Sequence, residues 1–300
     1  MELTSKKFIR SLLKKNEIGA RENGRVVGGW RPSKGLGQNF LVSKEILKKI
    51  IKAAELKSSD IVLEIGPGIG TLTYELAKRV KKVIAIEKDP NLVRILNNEL
   101  RIMEIKNVKI IQDDILKIHN SKFMIHNSYK VVANLPYYIT SPVIRKFLET
   151  ENKPKLMVLM VQKEVSQRIC PPARAGAKRK MNLLAVSVQF YSKPEIISFV
   201  SKKSFWPSPK VDSAILQIAP LINADKKLIN ADLFFKVVKA GFSQPRKQLL
   251  NNFSKGKFKN FTREKIKNWL LVNGIKPEQR AENLSLKDWL NLTRSLPLDI

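Results

Sequence analysis

A four-residue turn, Asn-Leu-Pro-Tyr at positions 134–137, follows a short apolar run and carries groups that suit a nucleobase. The side-chain carbonyl of Asn134 can accept a hydrogen bond from an exocyclic amine. Pro136 restricts Leu135 to extended conformations, in which its backbone carbonyl can accept the second amine hydrogen. Tyr137 offers a flat face for stacking. Two acceptors on one amino group free its lone pair to attack a methyl group, so the turn predicts a site for a base that has left its stack.

The same turn also has a purely structural interpretation, as a proline-containing loop that starts the next helix. In that interpretation Ser141 is the N-cap and Pro142 is the first helical residue. This explains Ser141 and Pro142 but gives no reason for Asn134 or Tyr137. We therefore expect a helix start at Ser141 beside a base site.

A second candidate site lies in LEIGPGIGTL, where Gly66, Gly68 and Gly70 separate an apolar run from a helical pattern. Glycine permits a tight turn and lets a ligand approach the backbone, and the helix that follows offers N–H groups. Glu87 ends the next apolar run, where an acid can accept both hydroxyls of a ribose. Together these residues predict a nucleoside site.

The glycine spacing and a further pair of acids narrow the choice of nucleoside. A Gly-x-Gly-x-Gly turn with Pro67 inside differs from the Gly-x-Gly-x-x-Gly turn that admits a pyrophosphate. The third apolar run ends in Asp113 and Asp114, and a carboxylate suits the exocyclic amine of adenine. S-adenosylmethionine carries a sulfonium cation and no phosphate, so the pattern favours it as the cofactor. The alternative is that Glu87 and Asp114 merely cap the helices that follow them.

Short apolar runs alternate with helical periodicity from position 35 to about 170, and this places both turns in one kind of fold. The runs, such as IVLEIG and KVIAIE, are too short for typical helices. Strands that alternate with helices predict a doubly wound, mostly parallel sheet of α/β class, covered by helices on both faces. In such a sheet, ligands bind at the carboxyl edge of the strands.

The remaining patterns divide the chain into three parts. Residues 1–34 are rich in Lys and Arg and predict a basic N-terminal extension, which is either a nucleic-acid arm or solvated disorder. Residues 35–219 carry the alternating pattern. Residues 220–300 are helical only, with segments near 231–241, 262–273 and 285–294, and predict a small helical C-terminal domain.

Charge is the strongest global property of the chain. Its 300 residues include 56 Lys and Arg against 26 Asp and Glu, a formal net charge of +30. Clustered cations favour nucleic acid as the partner because phosphate contacts release counterions; an anionic membrane surface or an AT-rich genome that inflates the Lys content are the alternatives.

No run of about 18 uncharged apolar residues and no secretory signal occurs, so we expect a cytoplasmic protein without a membrane span. Cys170 is the only cysteine, so we expect neither an intrachain disulfide nor a metal site.

Several motifs occur together and in order along about 260 residues. They are GQNFL, EIGPGIGTLT, IEKD, DDIL, NLPY and FWPSPKVDSAI. The combination resembles the small-subunit ribosomal RNA adenine N6-dimethyltransferase family, which includes eukaryotic relatives and, more distantly, the macrolide-resistance methyltransferases. The resemblance implies a class I, Rossmann-like methyltransferase fold with a seven-stranded sheet and S-adenosylmethionine as the cofactor.

The resemblance also implies roles for individual residues. Cofactor contacts fall, motif by motif, on Asn39, Leu41, Gly66, Gly68, Glu87, Asp114 and Asn134. Residues that receive the target adenine are Asn134, Leu135, Pro136, Tyr137 and Phe205. Phe205 is expected to cover the adenine opposite Tyr137, with a core aromatic as its alternative.

The C-terminal motifs GFSQPRKQLLNN and RAENLSLKDWL resemble the small-subunit enzymes. Arg246, Lys247 and Arg280 in them are candidate phosphate contacts, although a solvated helix face is an alternative for each. Leu135 also favours this subfamily, since the large-subunit enzymes tend to carry Ile there. Three segments depart from the family pattern: the long basic extension, KRKMNLLAV and QPRK. These departures affect the details of RNA docking.

The resemblance implies that the chain dimethylates N6 of two adjacent adenosines near the 3′ end of 16S rRNA. The substrate would be the immature small subunit, the enzyme a monomer, and its biological role small-subunit biogenesis. The alternatives are a DNA or large-subunit rRNA adenine methyltransferase and a non-catalytic RNA-binding assembly factor. The intact turn at 134–137 argues against the last of these.

Overall fold

The structure, a computed structural model, describes residues 21–22, 25–26, 32–33, 35–118, 128–171, 180–221, 230–255, 258 and 261–296. Most of the predicted basic extension, residues 1–34, lies outside the described residues, and its role stays a prediction. In the part of the chain that is described, no helix is long and apolar enough to cross a membrane.

The described chain folds into two compact units. The first ends at Ser166 and also contains Glu195–Pro220, and the second contains Gln167–Pro194 and resumes at Leu221. The segment 167–194 therefore departs from the predicted boundaries, which assigned it to the domain of residues 35–219. Its helix packs in the core of the second unit, where Phe190 stacks on Phe234 with ring centroids 4.1 Å apart.

A seven-stranded sheet organises the first unit. Its strands, in chain order, are β1 Ile61–Ile65, β2 Lys82–Glu87, β3 Val108–Gln112, β4 Tyr129–Asn134, β5 Leu156–Gln162, β6 Ser192–Val200 and β7 Ser213–Pro220. They lie in the order β3-β2-β1-β4-β5-β7-β6. β1 to β5 pair in parallel and β7 is antiparallel to β5. The predicted doubly wound, mostly parallel sheet is confirmed.

Helices that alternate with the strands cover the sheet. They are α1 Lys44–Ala53, α2 Thr71–Ala77, α3 Pro90–Ile102, α4 Thr140–Leu148 and α5 Lys163–Ile169. Ser43 caps α1 as expected, since its side chain accepts a hydrogen bond from the Ile46 amide at 3.4 Å.

The expected N-cap at Ser141 is wrong. A 3₁₀ turn, Tyr137–Ile139, runs directly into α4, which begins at Thr140 without a side-chain cap. Because this turn already aligns the backbone, Ser141 and Pro142 lie inside the first helical turn, and the helix needs no cap there.

The second unit is helical. Its helices are α6 Leu183–Tyr191, α7 Ala231–Gly241, α8 Leu249–Phe253, α9 Arg263–Val272 and α10 Leu286–Arg294. Its core contains several large aromatic residues, of which Trp289, Phe234, Phe253 and Phe258 are fully buried. The predicted helical segments after residue 220 are therefore present.

Gly241, the last residue of α7, lies against Trp289. A methyl group at Gly241 would overlap the indole ring and would come within 2.8 Å of its Cζ3. We expect Gly241→Ala to destabilise the second unit by about 1–3 kcal/mol, as overpacking of a rigid core does. Denaturant midpoints followed by circular dichroism measure this change.

Gly35→Ala is the matched control, because the nearest atom to its added methyl group is Ser33 Oγ at 3.8 Å. An unchanged midpoint in Gly241→Ala would show that the Trp289 ring moves aside at no cost.

Candidate active site

A pocket opens at the carboxyl edge of β1, β2, β3 and β4. Segment 36–41, the glycine turn after β1, the acids after β2 and β3, and the turn at 134–137 line it. Among the predicted site residues, the lining includes Asn39, Leu41, Gly66, Glu87, Asp114, Asn134, Leu135, Pro136 and Tyr137. Motifs that are far apart in sequence therefore meet in one cavity, as the parallel topology requires.

The glycine turn lies directly against the Asn-Leu-Pro-Tyr turn. Gly66 and Gly68 have φ angles of 66° and 59°, which favour glycine because a Cβ is strained in this region. A Cβ on Gly66 would lie 3.6 Å from Cδ of Pro136, and one on Gly68 would lie 3.1 Å from the Phe40 ring. Gly68 is not among the lining residues; its amide instead donates a hydrogen bond to Glu87.

Backbone amides hold Glu87 in place. Its Oε2 accepts from Gly68 N at 3.1 Å and its Oε1 accepts from Asp89 N at 2.9 Å. The side chain is 7% exposed, and burial raises the pKa of the carboxyl despite these hydrogen bonds. The carboxyl is thus oriented at the end of β2, and it both supports the start of α3 and lines the pocket.

Asp114 is also shared between local structure and the pocket. Its Oδ1 accepts from Leu116 N at 2.9 Å, and Lys88 Nζ lies 3.1 Å from its Oδ2. Burial acts to raise the pKa of Asp114, but the Leu116 hydrogen bond and Lys88 outweigh it and lower the pKa. Asp114 is therefore ionised at neutral pH.

A hydrogen bond orients the amide of Asn134. Its Nδ2 donates to the backbone carbonyl of Asn39 at 3.0 Å, and Asn39 Nδ2 in turn donates to Gly37 O at 3.0 Å. Since the donor end of Asn134 is used in this way, its Oδ1 is the end that can accept a hydrogen bond from a ligand. The first motif, GQNFL, thus sets the orientation of the fifth, NLPY.

The other residues of the turn are fixed by a hydrogen bond and by burial. Tyr137 Oη shares a hydrogen bond with Ser213 Oγ at 2.7 Å, and burial raises the pKa of this hydroxyl. Leu135 is buried, and Pro136 has φ −56° and ψ 129°. The backbone of the turn and the ring of Tyr137 are thereby fixed before any ligand binds.

Phe205 does not line the pocket. It pairs with Leu41 in a short antiparallel ribbon of Phe40–Leu41 with Phe205–Trp206 and is 2% exposed. The register of this ribbon turns the ring into the core beside Leu41, Ile46 and Leu47. The expectation that Phe205 covers the target adenine is not met, and the alternative, a core aromatic, describes its position.

The predicted phosphate contacts lie together on the second unit. Arg246, Lys247 and Arg280 are exposed. An isolated antiparallel bridge joins Gln248 to Arg280 and brings the two segments side by side. Their role in RNA binding stays a prediction.

Glu64 is a pocket residue that the sequence interpretation missed. It is 1% exposed, and among the described residues no hydrogen bond reaches its Oε2. Burial raises its pKa to about 8; the Thr73 hydroxyl partly offsets the rise and Glu87 adds to it. The available signal was an acid inside the apolar run IVLEIG, because a buried strand carries a carboxyl only at a cost.

Gln38 is the second missed residue. Its Nε2 donates to Asp89 Oδ2 at 2.8 Å, and its Oε1 accepts from Ser33 N at 2.6 Å. Asp89 in turn caps α3 through Asn91 N at 2.9 Å. Gln38 therefore links Ser33 to Asp89, which lies in the connection between β2, where Glu87 is the last residue, and α3.

The buried carboxyl of Glu64 predicts an unusual dependence of stability on pH. Its folded pKa of about 8 exceeds its usual value of 4.5, so the folded state holds a proton that the unfolded state has lost between these values. Stability from this group is complete below pH 4.5 and falls as pH rises to 8. At about 1.4 kcal/mol per pKa unit, the loss is roughly 5 kcal/mol.

We expect Glu64→Gln to remove that loss, so that the free energy of unfolding of the variant relative to wild type rises across this pH range. Urea titrations at several pH values measure it. Glu75→Gln is the control, since Lys78 and Arg79 outweigh the effect of burial and lower the Glu75 pKa; its difference from wild type should stay constant from pH 4.5 to 8 and change only at lower pH. Parallel curves for wild type and Glu64→Gln would show that Glu64 is ionised in the fold.

Comparisons with known proteins agree with this geometry. The family described as "Ribosomal RNA adenine dimethylase" matches residues 31–297. A "Ribosomal RNA small subunit methyltransferase A" from Dehalococcoides mccartyi is 45% identical over 260 residues, which are 86% of each chain.

Two solved structures are similar over most of the chain. A dimethyladenosine transferase from Plasmodium falciparum has a TM-score of 0.68 at 30% identity and covers 84% of this chain and 95% of its own. The 23S rRNA methyltransferase ErmE has a TM-score of 0.66 at 25% identity, and the match covers 86% of this chain and 99% of ErmE. The chain belongs to the ribosomal RNA adenine dimethylase family.

Proposed function

We propose that this protein transfers methyl groups from S-adenosylmethionine to N6 of adenosine in small-subunit rRNA. The observation that carries the proposal is the hydrogen bond from Asn134 Nδ2 to Asn39 O. It leaves Asn134 Oδ1 as an acceptor in a pocket whose other residues suit a nucleoside cofactor.

The pocket fits S-adenosylmethionine by charge. It contains the carboxyls of Glu64, Glu87 and Asp114; the ionised Asp114 disfavours a phosphate, and all three carboxyls suit a cation. Gly66 would lie against the methionine part of the cofactor, Glu87 on the ribose and Asp114 near the adenine amine. When bound, the cofactor supplies an electrophilic methyl group. The unpartnered Oε2 of Glu64 matches a cationic ligand because a nearby positive charge stabilises its ionised form.

The residues at 134–137 then act on the target base. Asn134 Oδ1 and the Leu135 carbonyl accept the two N6 hydrogens, and the Tyr137 ring stacks on the adenine. N6 would take the methyl group as its bond to the sulfonium sulfur breaks and leaves a neutral thioether, and N6 would then release a proton to water, so no general base is required. Orientation of the reacting nitrogen supplies much of the rate, and the fixed Tyr137–Ser213 pair maintains that orientation.

The names and identities of the relatives support the small-subunit substrate. The relative named for the small subunit is 45% identical, whereas the 23S enzyme is 25% identical. We propose two adjacent adenosines near the 3′ end of 16S rRNA, each methylated twice, in the immature subunit. A pocket built within one unit of one chain is consistent with a monomer that acts in the cytoplasm.

Asn134→Ala tests the mechanism. We expect methyl transfer to fall by about 100-fold or more, since a positioned hydrogen-bonding group of this kind typically contributes that much. RNA binding should stay within a factor of two or so of wild type, because one amide contributes little to a phosphate-dominated interface. Transfer of a labelled methyl group and filter binding measure the two quantities.

Asn98→Ala is the matched control, since Asn98 is exposed on α3, outside the pocket lining, and its side chain accepts a hydrogen bond from Arg101. Full activity in Asn134→Ala would contradict the proposed mechanism.

Mass spectrometry of rRNA tests the substrate. We expect two adjacent dimethyladenosines in small-subunit rRNA from cells that carry the gene and unmodified adenosines in cells that lack it. Purified protein should methylate immature small subunits and leave duplex DNA unmodified. Transfer to DNA alone would identify a DNA enzyme, and absence of any transfer with RNA binding intact would identify an assembly factor.

A further inference from the structure

Phe199 is an exposed aromatic residue in the strand at one end of the sheet order. It lies in β6, which neighbours β7, and it is 50% exposed. Ile197, two residues earlier on the same face, is exposed as well. Large apolar groups that cluster at a surface indicate that another molecule covers them.

A lysine lies over this ring. Lys163 Nζ lies 5.2 Å from the centroid of the Phe199 ring. The amide of Lys163 donates to Asp212 O at 3.0 Å, and the amide of Lys202 donates to Asp212 Oδ1 at 3.0 Å. Asp212 therefore brings the backbones of both lysines together beside Phe199.

The charge of this surface is positive overall. Lys202, Lys203 and Lys210 are exposed, as are three acids: Glu164 next to Lys163, Asp212, and Glu195 on the same face of β6 as Phe199. With Lys163 these segments carry four lysines and three acids, one of which already accepts a backbone hydrogen bond. In a chain of net charge +30, this surface favours a polyanion over a neutral protein partner.

The surface adjoins the proposed base site. Asp212 precedes Ser213, whose hydroxyl shares the 2.7 Å hydrogen bond with Tyr137. Ser213 also pairs with Gln162, the residue before Lys163. Gln162 and Ser213 therefore connect Lys163 to Tyr137, the ring that stacks on the adenine in the proposed function.

We propose that Phe199 and the lysines beside it bind an unpaired nucleotide that flanks the target adenosine. The base stacks on the Phe199 ring, and Lys163 or Lys202 contacts its phosphate. A base that is drawn into a pocket leaves its neighbours without their stacking partner, and an aromatic face beside a cation compensates for that loss. The inference rests on the proposed function and adds a second nucleotide to its substrate.

Phe199→Ala in the full-length protein tests the inference against an RNA stem-loop that contains the target adenosines. Loss of one stacked base typically weakens binding by about tenfold, and we expect that change in Kd. Phe199→Trp should restore binding, and Ile102→Ala, which removes an equally exposed apolar side chain on α3, should not alter it. Circular dichroism of each variant checks that the fold is intact.

Abasic RNA identifies the contact. Removing the flanking base on the side that stacks should abolish the difference between wild type and Phe199→Ala. A difference that persists with abasic sites on either side, or no difference with intact RNA, overturns the proposal. Lys163→Ala should reduce the salt slope of binding by about 0.7, the value for one phosphate of a single strand.

Two further measurements separate this inference from its alternatives. At saturating RNA, Phe199→Ala should keep the wild-type kcat and raise only KM. Failure of the wild-type protein itself to methylate RNA would refute the proposed function, on which this inference rests. Sedimentation should give the same mass for wild type and Phe199→Ala. A change in mass with unchanged RNA affinity would assign the surface to a second copy of the chain and overturn the proposal.

Discussion

The hydrogen bond between Asn134 and Asn39 couples the two halves of the site. One partner belongs to β4, which ends at the Asn-Leu-Pro-Tyr turn, and the other belongs to segment 36–41, which lines the same pocket. An amide can present its oxygen to a base only if its NH2 group points elsewhere, and the Asn39 carbonyl sets that direction. Any displacement of segment 36–41 therefore also rotates the acceptor that positions the target. In the proposed function, binding of the target base therefore depends on an ordered segment 36–41.

The second constraint is the burial of acids at the strand edge. Glu64 and Glu87 lie close enough to raise each other's cost of ionisation, and their surroundings are apolar. Backbone amides compensate Glu87, whereas the Oε2 of Glu64 has no hydrogen-bond partner in the described chain. A core would not retain such a group for stability, since an apolar residue of similar size costs less. A cation in the pocket would stabilise the ionised carboxyl of Glu64, as the proposed cofactor requires.

The order of elements follows from sequence patterns because alternating strands and helices leave few topologies, and parallel strands bring their carboxyl ends to one edge. Residues 66, 87, 114 and 134 therefore meet as expected. Local patterns could not show that the 3₁₀ turn at 137–139 starts α4 without Ser141. Nor could they show that the ribbon register turns Phe205 inward, since a strand slipped by one residue reverses the face of every side chain. The association of segment 167–194 with the second unit depends on aromatic packing between distant residues.

The surface beside Phe199 carries lysines, whereas acids line the pocket, and this difference in charge determines which chemical groups can enter the pocket. In the proposed function, lysines beside Phe199 attract the phosphates of an RNA strand, whereas the ionised carboxyl of Asp114 in the pocket repels them. A strand drawn to the surface would therefore place an uncharged base in the cavity and keep its backbone outside. The pocket carboxyls would also favour a cationic cofactor over a nucleotide triphosphate, which also carries an adenine. Because Asp114 contributes to both selections, replacing it should alter recognition of the cofactor and exclusion of phosphate together.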